Sequence, residues 1–297
     1  MHGTFVSAVD SMTDSRIEAL RALESPCRLC PRECRARRGE GEVGYCSASA
    51  TAVVASFGPH FGEESVLVGT GGSGTVFFSP CNLKCAFCQN YDIAHRVSGA
   101  EATPAQIARI MLSLAARGCE NVNFVTPTLY APQIAEATIL ARDSGFALPT
   151  VYNCGGYESL DALRLLDGLV DIYMPDAKFL DARASARYLN APNYPQRMCA
   201  ALVEMQRQVG DLVLRRGAAA RGLLVRHLVM PGHTEDSKAV IAFLASEVSP
   251  HAYVNIMGQY HPQHRASDFP EIDRCPTRDE VYAVRAYALE KGLRLDM

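Results

Sequence analysis

Six short apolar runs punctuate this chain, at 75–79, 121–125, 149–152, 171–174, 223–229 and 253–257, with amphipathic segments between them. Runs of this length bounded by turn residues read as strands. They carry little polar alternation, as expected when both faces of a strand are covered. The intervening segments carry helix punctuation. Thr103 before Pro104 is an N-cap with proline in the first turn, and Gly118 closes that helix. Another helix spans 131–144 and stops at Gly145, and further helices fit 158–166, 194–209, 234–247 and 278–291. A short helix at 9–24 places Ile17, Leu20 and Leu23 on one side. Strands alternating with crossover helices specify an α/β fold built on a parallel sheet.

In such folds sites form where strands end. The chemically informative residues stand there: the cysteine loop 81–88 after the first strand, Thr126 and Thr128 after the second, and Asn153 after the third. Asp176 and Lys178 follow the fourth, the loop 231–233 the fifth and the loop 258–261 the sixth. The chain has 297 residues, enough for one large domain and a small appendage, and 48% hydrophobic residues, enough for a sizeable core. A net charge of −3 gives no general drive toward DNA, RNA or an anionic membrane. No apolar run approaches the ~20 residues that span a bilayer. The N-terminus lacks a basic region followed by an apolar stretch, so no signal peptide is expected and the cytoplasm is the expected location.

Seven of the 11 cysteines fall in two clusters, and in a reducing compartment clustered cysteines are metal ligands sooner than disulfides. The lone ones, Cys119, Cys154, Cys199 and Cys275, read as small core hydrophobes. Cys81, Cys85 and Cys88 stand as CNLKCAFC on one loop. An iron–sulfur cubane has one ligand per iron, and cysteine thiolates are the usual donors. Three thiolates leave one iron free to bind a small molecule. Cys27, Cys30, Cys34 and Cys46 supply four, which closes either a zinc site or a second cluster, and the spacing fits both. Residues 25–50 lack either hydrophobic period, so 1–50 is read as a helix plus a metal-held, cysteine-rich module and 51–297 as the main domain. Arg28, Arg32, Arg35, Arg37 and Arg38 crowd that module; they balance thiolate charge, or they form a basic knuckle for RNA. Gly69 to Gly74 lacks a following Lys-Ser/Thr and reads as a tight entry to the first strand.

The CxxxCxφC pattern, with Phe87 as the aromatic φ, resembles the signature of the radical SAM superfamily. The resemblance continues through CRLCPREC (27–34), GEVGYC (41–46), HFGEE (60–64), GSGT (72–75), CQN (88–90), YNCGGYE (152–158), YMPDAK (173–178), RHLVMPG (226–232) and NIMGQY (255–260), which are similar to the PflX proteins. These are relatives of the pyruvate formate-lyase activating enzyme. The resemblance implies a partial (β/α)6 TIM-like barrel, a [4Fe-4S] cluster on Cys81, Cys85 and Cys88, and S-adenosylmethionine on the open iron. Reductive cleavage then gives a 5′-deoxyadenosyl radical that abstracts hydrogen. It further implies ferredoxin or flavodoxin as reductant and points to protein-radical activation, as by a glycyl radical enzyme activase, with modification of a small molecule or a peptide as the alternatives. The implied cofactor pocket takes Phe87, Asn90, Thr126, Thr128, Asn153, Asp176, Lys178 and Arg226. The usual Gly-Gly-Glu is absent, and Thr126-Pro-Thr128 stands in its place. Asp176 and Lys178, two apart in extended chain, face the same way. His227 is expected in the core, and Tyr260, His261 and His264 on a solvated loop. A non-catalytic iron–sulfur electron carrier and an RNA-binding metalloprotein are the alternatives.

Overall fold

The computed structural model describes residues 15–296. Residues 15–22 form α1, part of the helix expected at 9–24, and residues 9–14 lie outside the described range. Its expected face is the buried one: Leu20 and Leu23 are core residues, and Ile17 packs against them. The elements that follow are β1 (Ala52–His60), α2 (Ser65–Val68), β2 (Ser73–Phe78), α3 (Tyr91–Ala94), β3 (Ala100–Ala102), α4 (Pro104–Ala116), β4 (Asn121–Val125) and α5 (Ala131–Asp143). Then come β5 (Thr150–Cys154), α6 (Leu160–Leu165), β6 (Ile172–Pro175), α7 (Ala182–Leu189), α8 (Tyr194–Val209), β7 (Val213–Arg215) and β8 (Ala218–Leu228). The chain closes with α9 (Thr234–Phe243), β9 (Tyr253–Met257), α10 (Arg278–Glu290) and β10 (Arg294–Leu295).

The strands form one sheet in the order β10-β9-β8-β6-β5-β4-β2-β1-β3. The six expected strands are its parallel centre, β2, β4, β5, β6, β8 and β9. This is the α/β fold with a parallel sheet, curved as a partial TIM-like barrel. Helices cover the outer face in two cores, with α4 and α5 over β2 and β4, and α6, α8, α9 and α10 over the remainder. Local chemistry sets the helix starts. Thr103 with Gln106 and Thr277 with Glu280 form reciprocal capping boxes on α4 and α10, each cap worth about 1 kcal/mol. The glycine run does give a tight strand entry, since a Cβ on Gly71 would sit 1.8 Å from the Gly118 carbonyl oxygen.

Elements absent from the sequence expectation lie at the edges. β1 and β3 add antiparallel strands beside β2, β7 pairs antiparallel with β8, and β10 extends the far side. α7 also falls where no helix was expected.

Candidate active site

Parallel strands end on one rim, so the loops after β2, β4, β5, β6 and β8 meet there. They enclose a cavity of about 240 Å³. Cys81, Cys85, Phe87, Cys88 and Asn90 line it from the first loop, Thr126 and Asn153 from the next two, and Asp176, Lys178 and Arg226 from the far wall. A larger groove of about 650 Å³ along β1 and β3 is lined by Val54, Phe57, Ala102 and Ile110 with Glu101 and Arg109. It offers no ligand set, so the chemistry gathers in the smaller space.

Thr126 takes a left-handed conformation, φ 62° and ψ 49°. For a β-branched residue this is an outlier, and such strain costs about 1–3 kcal/mol where surrounding structure holds it. The Asn153 carbonyl oxygen holds it here, accepting from the Thr126 N–H at 2.9 Å. The kink keeps Thr126 on the cavity and sends Thr128 elsewhere, which corrects the pocket expected from sequence. Thr128 is buried, and its hydroxyl donates to Glu158 Oε1 at 2.7 Å. Glu158 also receives the Tyr152 hydroxyl at 3.2 Å. Burial lifts its carboxyl to about 7 although Thr128, Tyr152 and Cys154 donate to it.

Asp176 is the electrostatic hub. Lys178 Nζ lies 2.6 Å from its Oδ2, Arg226 Nε lies 2.9 Å from its Oδ1, and Arg226 Nη2 donates to Asn153 Oδ1 at 2.8 Å. Burial works to raise the Asp176 carboxyl, but Arg226 and then Lys178 more than offset it, and the net shift is downward. Burial likewise opposes charge on Lys178, and Asp176 overrides it to raise the ammonium. The segment is pinned from behind by Tyr194, whose hydroxyl donates to the Asp176 carbonyl oxygen at 2.8 Å and accepts the Lys178 N–H at 3.1 Å. Nothing in the sequence marked Tyr194. Gly156 packs against the same carbonyl at φ 74°, and a Cβ there would lie 2.4 Å from it. Gly156→Ala therefore adds about 1–2 kcal/mol of left-handed strain to a backbone collision. It is expected to lower the thermal midpoint by several degrees, and an unchanged melting curve refutes that.

Burial pushes all three cavity thiols up, Cys88 to about 12, with Lys178 pulling each of them down. Thiols so protonated are inert unless a metal ionises them. Among the described residues no three His, Cys, Asp or Glu side chains are drawn together around a single metal ion. A cubane asks for a different arrangement, because each thiolate bonds its own iron. Three thiols ringing one cavity, with a cation on the opposite wall, fit that donor set. Phe87 is fixed edge-on between Phe179 and Tyr260, with centroids at 6.2 and 6.0 Å. Tyr260 lies on the loop after β9 but is buried rather than solvated; it is 2% exposed, and its hydroxyl donates to the Ile272 carbonyl. His261 is exposed, and His264 stacks on Tyr91. His227 is in the core as expected, with Nδ1 2.7 Å from the Ala177 carbonyl oxygen.

In the N-terminal module Cys27, Cys30 and Cys46 are buried and Cys34 is exposed. Burial lifts Cys30 to about 12. Two of the five arginines there are internal struts. Arg32 donates to the carbonyls of Asn82 and Leu83, inside the cysteine loop, and to Leu189 and Asn190. Arg38 is buried and bonds the carbonyls of Ser49 and Leu129. These guanidiniums are spent on backbone carbonyls of the fold.

A model of the radical SAM superfamily matches residues 75–244. A protein of Methanocaldococcus jannaschii, described as uncharacterized protein MJ0674, is 30% identical over 97% of this chain and 80% of its own length. Among solved structures, Streptococcus suis SuiB superposes with a TM-score of 0.51 at 13% identity, covering 78% of this chain and 49% of that one. SuiB bound to the precursor peptide SuiA gives 0.52 at 13% identity, with 73% and 46% covered. This chain thus spans about half the length of the SuiB structures, and the likeness is one of fold.

Proposed function

The chain belongs to the radical SAM superfamily, and from that membership we propose that it reductively cleaves S-adenosylmethionine in the 240 Å³ cavity in order to abstract hydrogen from a protein or peptide. The observation that carries this is the meeting of Cys81, Cys85 and Cys88 with the Asp176–Lys178–Arg226 charge network in one space. Cys81, Cys85 and Cys88 would hold the [4Fe-4S] cluster. Bound there, cluster and cofactor supply a 5′-deoxyadenosyl radical. The other roles belong to side chains. Lys178 offers its ammonium to the cofactor carboxylate, and Asp176 keeps that ammonium charged and aimed. The Thr126 hydroxyl and the carbonyls at its kink accept from the cofactor ammonium, in place of a glutamate. Phe87, locked by its two aromatic neighbours, closes the wall beside the thiols, and Asn90 supplies amide groups at the rim. Arg226 and Asn153 form the floor.

The motif matches to the PflX proteins and the fold shared with SuiB, a structure of which holds a precursor peptide, both support a polypeptide substrate. Activation of a glycyl radical enzyme is the form of that chemistry the motifs favour. Ferredoxin or flavodoxin is the proposed reductant. The N-terminal cysteines would hold zinc or a second cluster, with residues 1–50 as a module beside the catalytic domain 51–297. An electron carrier has no use for a cavity that joins three thiols to a buried charge network, which favours the enzyme over that alternative. Among the described residues no helix is long and apolar enough to cross a membrane. Anaerobic reconstitution with iron and sulfide, dithionite reduction and addition of S-adenosylmethionine should release 5′-deoxyadenosine. If none forms and the cofactor leaves the electron paramagnetic resonance signal unchanged, the proposal fails.

A further inference from the structure

We propose that the back of the cysteine loop, around Lys84, is the docking face for an acidic protein that carries single electrons. This deepens the reading above and rests on it, because an electron is needed here only if the cavity cleaves its cofactor reductively.

Cys81, Cys85 and Cys88 line the cavity, while Lys84 and Ala86, which stand between them, line a second recess of about 350 Å³. Tyr45, His95, Arg187 and Arg265 are among its walls. Those walls bond directly to the loop. His95 Nε2 lies 3.1 Å from the Cys85 carbonyl oxygen, and the Arg265 N–H donates to the Ala86 carbonyl oxygen at 2.8 Å. A carrier seated in this recess is separated from the thiol cavity by little more than the loop backbone. The cavity itself stays free, so cofactor and substrate can be in place when the electron arrives. Lys84 stands at φ 54°, a left-handed conformation that glycine takes freely and lysine does not. The turn thus carries a strained residue where glycine would relax it, and what lysine adds there is an ammonium.

Charge selects the carrier. Arg187, its side chain 51% exposed, pairs with Glu271, and Arg265, 62% exposed, pairs with Asp268. Arg32 spends its donors on backbone carbonyls and so keeps its charge, 3.6 Å from the centre of the Tyr45 ring. Lys84 pairs with no carboxylate among the described residues, and its ammonium lies 5.3 Å from the same ring. Lys84, Arg32, Arg187 and Arg265 thus face only Glu271 and Asp268. The neighbouring His264 feels this field: burial and then Arg265 hold its ring below the usual histidine value, although Asp268 opposes them. The chain as a whole carries −3, so it repels an acidic partner in general and attracts one where the local surplus is positive. Each encounter moves one electron and no proton. The carrier is oxidised by one electron, and the cluster that Cys81, Cys85 and Cys88 would hold is reduced by one.

The probe is a flavodoxin of net negative charge, used with the anaerobically reconstituted protein. Calorimetry with the oxidised form measures affinity, and stopped-flow mixing with the hydroquinone follows semiquinone formation. Affinity and second-order rate are both expected to fall as salt rises from about 0.05 to 0.5 M. Lys84→Glu and Arg265→Glu should each weaken them at least ~10-fold at low salt. Lys84→Gln, which removes the charge without reversing it, should fall between. Arg215→Glu, in the separate recess beside β7, should leave both unchanged. Release of 5′-deoxyadenosine driven by photoreduced 5-deazaflavin, a small neutral reductant, should be the same in every variant. Failure of the wild type to bind flavodoxin overturns the proposal, as does undiminished binding in the Lys84 and Arg265 variants or equal weakening by Arg215→Glu. So does a single-stranded RNA that binds saturably and displaces the flavodoxin. Protein that cleaves the cofactor with deazaflavin but binds flavodoxin equally well with and without Lys84 sinks this inference alone. Protein whose flavodoxin binding depends on Lys84 and Arg265 but which releases no 5′-deoxyadenosine with any reductant sinks the functional reading and leaves the docking face standing.

Discussion

A Cys85→Ser protein is expected to lose the cavity's iron and to release no 5′-deoxyadenosine above background. Cys85 is the middle ligand of its loop and lines the cavity with Cys81 and Cys88. Serine keeps the size and removes the soft thiolate that iron–sulfur chemistry requires. Loss of a mere outer-shell partner typically costs 10–100-fold in metal affinity or activity, so removing a direct ligand should exceed about 100-fold. Folding should survive, because the loop is held from several other sides. Arg32 pins the carbonyls of Asn82 and Leu83, His95 Nε2 meets the Cys85 carbonyl at 3.1 Å, and the Ala86 N–H donates to Tyr188. A native circular dichroism spectrum without cavity iron is the expected pairing. Retained cofactor cleavage would remove the cluster assignment. Serine at all three cavity positions isolates the upstream set, and metal analysis of that protein types it as zinc or iron. Absence of both would refute a metal module there.

Legibility followed locality. The six parallel strands were readable because strands buried on both faces are written as apolar runs, and helix ends were readable where capping residues are neighbours in sequence. β1 was not, since its outer half is largely exposed and carries Gly58 and Pro59, so neither period survives. The Asp176–Lys178 pair followed from a two-residue spacing. Its third member, Arg226, arrives from 50 residues away, and only the sheet register brings it in. Thr128 entered the expected pocket with the tripeptide that stands in place of Gly-Gly-Glu, and the left-handed turn at Thr126, with the Glu158 carboxylate that takes the Thr128 hydroxyl, is not displayed by sequence. The arginines of the cysteine module were legible as charge, while their partners are backbone carbonyls, which sequence does not display. Glu63 and Glu64 stand in HFGEE (60–64), yet nothing local shows that the chain carries them to Asn123 and Asn255.

Asp176→Ala is expected to be among the most destabilising single changes in this chain, by about 3–5 kcal/mol. The Asp176 side chain is only 16% exposed and serves two cations whose side chains are 16% and 20% exposed. An isolated pair of this kind adds little net stability, because desolvation cancels most of the attraction. Removing the shared anion is different, for it leaves Lys178 and Arg226 facing one another without compensation. Against a total of roughly 5–15 kcal/mol, such a loss is a large fraction. Asp176→Asn should cost less, since the amide oxygen still accepts from one cation. The double variant Asp176→Ala with Lys178→Met should recover part of the loss, because one stranded charge is gone. Urea unfolding that shifts its midpoint with an unchanged slope measures each case. The pH dependence has a definite sign. The folded Asp176 carboxyl lies below its unfolded value, so its contribution is present above the ordinary aspartate range and lost as pH falls through the folded value. The same substitution should also weaken S-adenosylmethionine binding, because Lys178 loses the partner that aims it. A loss under about 1 kcal/mol would place the network in solvent-like dielectric, and the cavity would then lack the preorganised charge that the proposed cofactor binding requires.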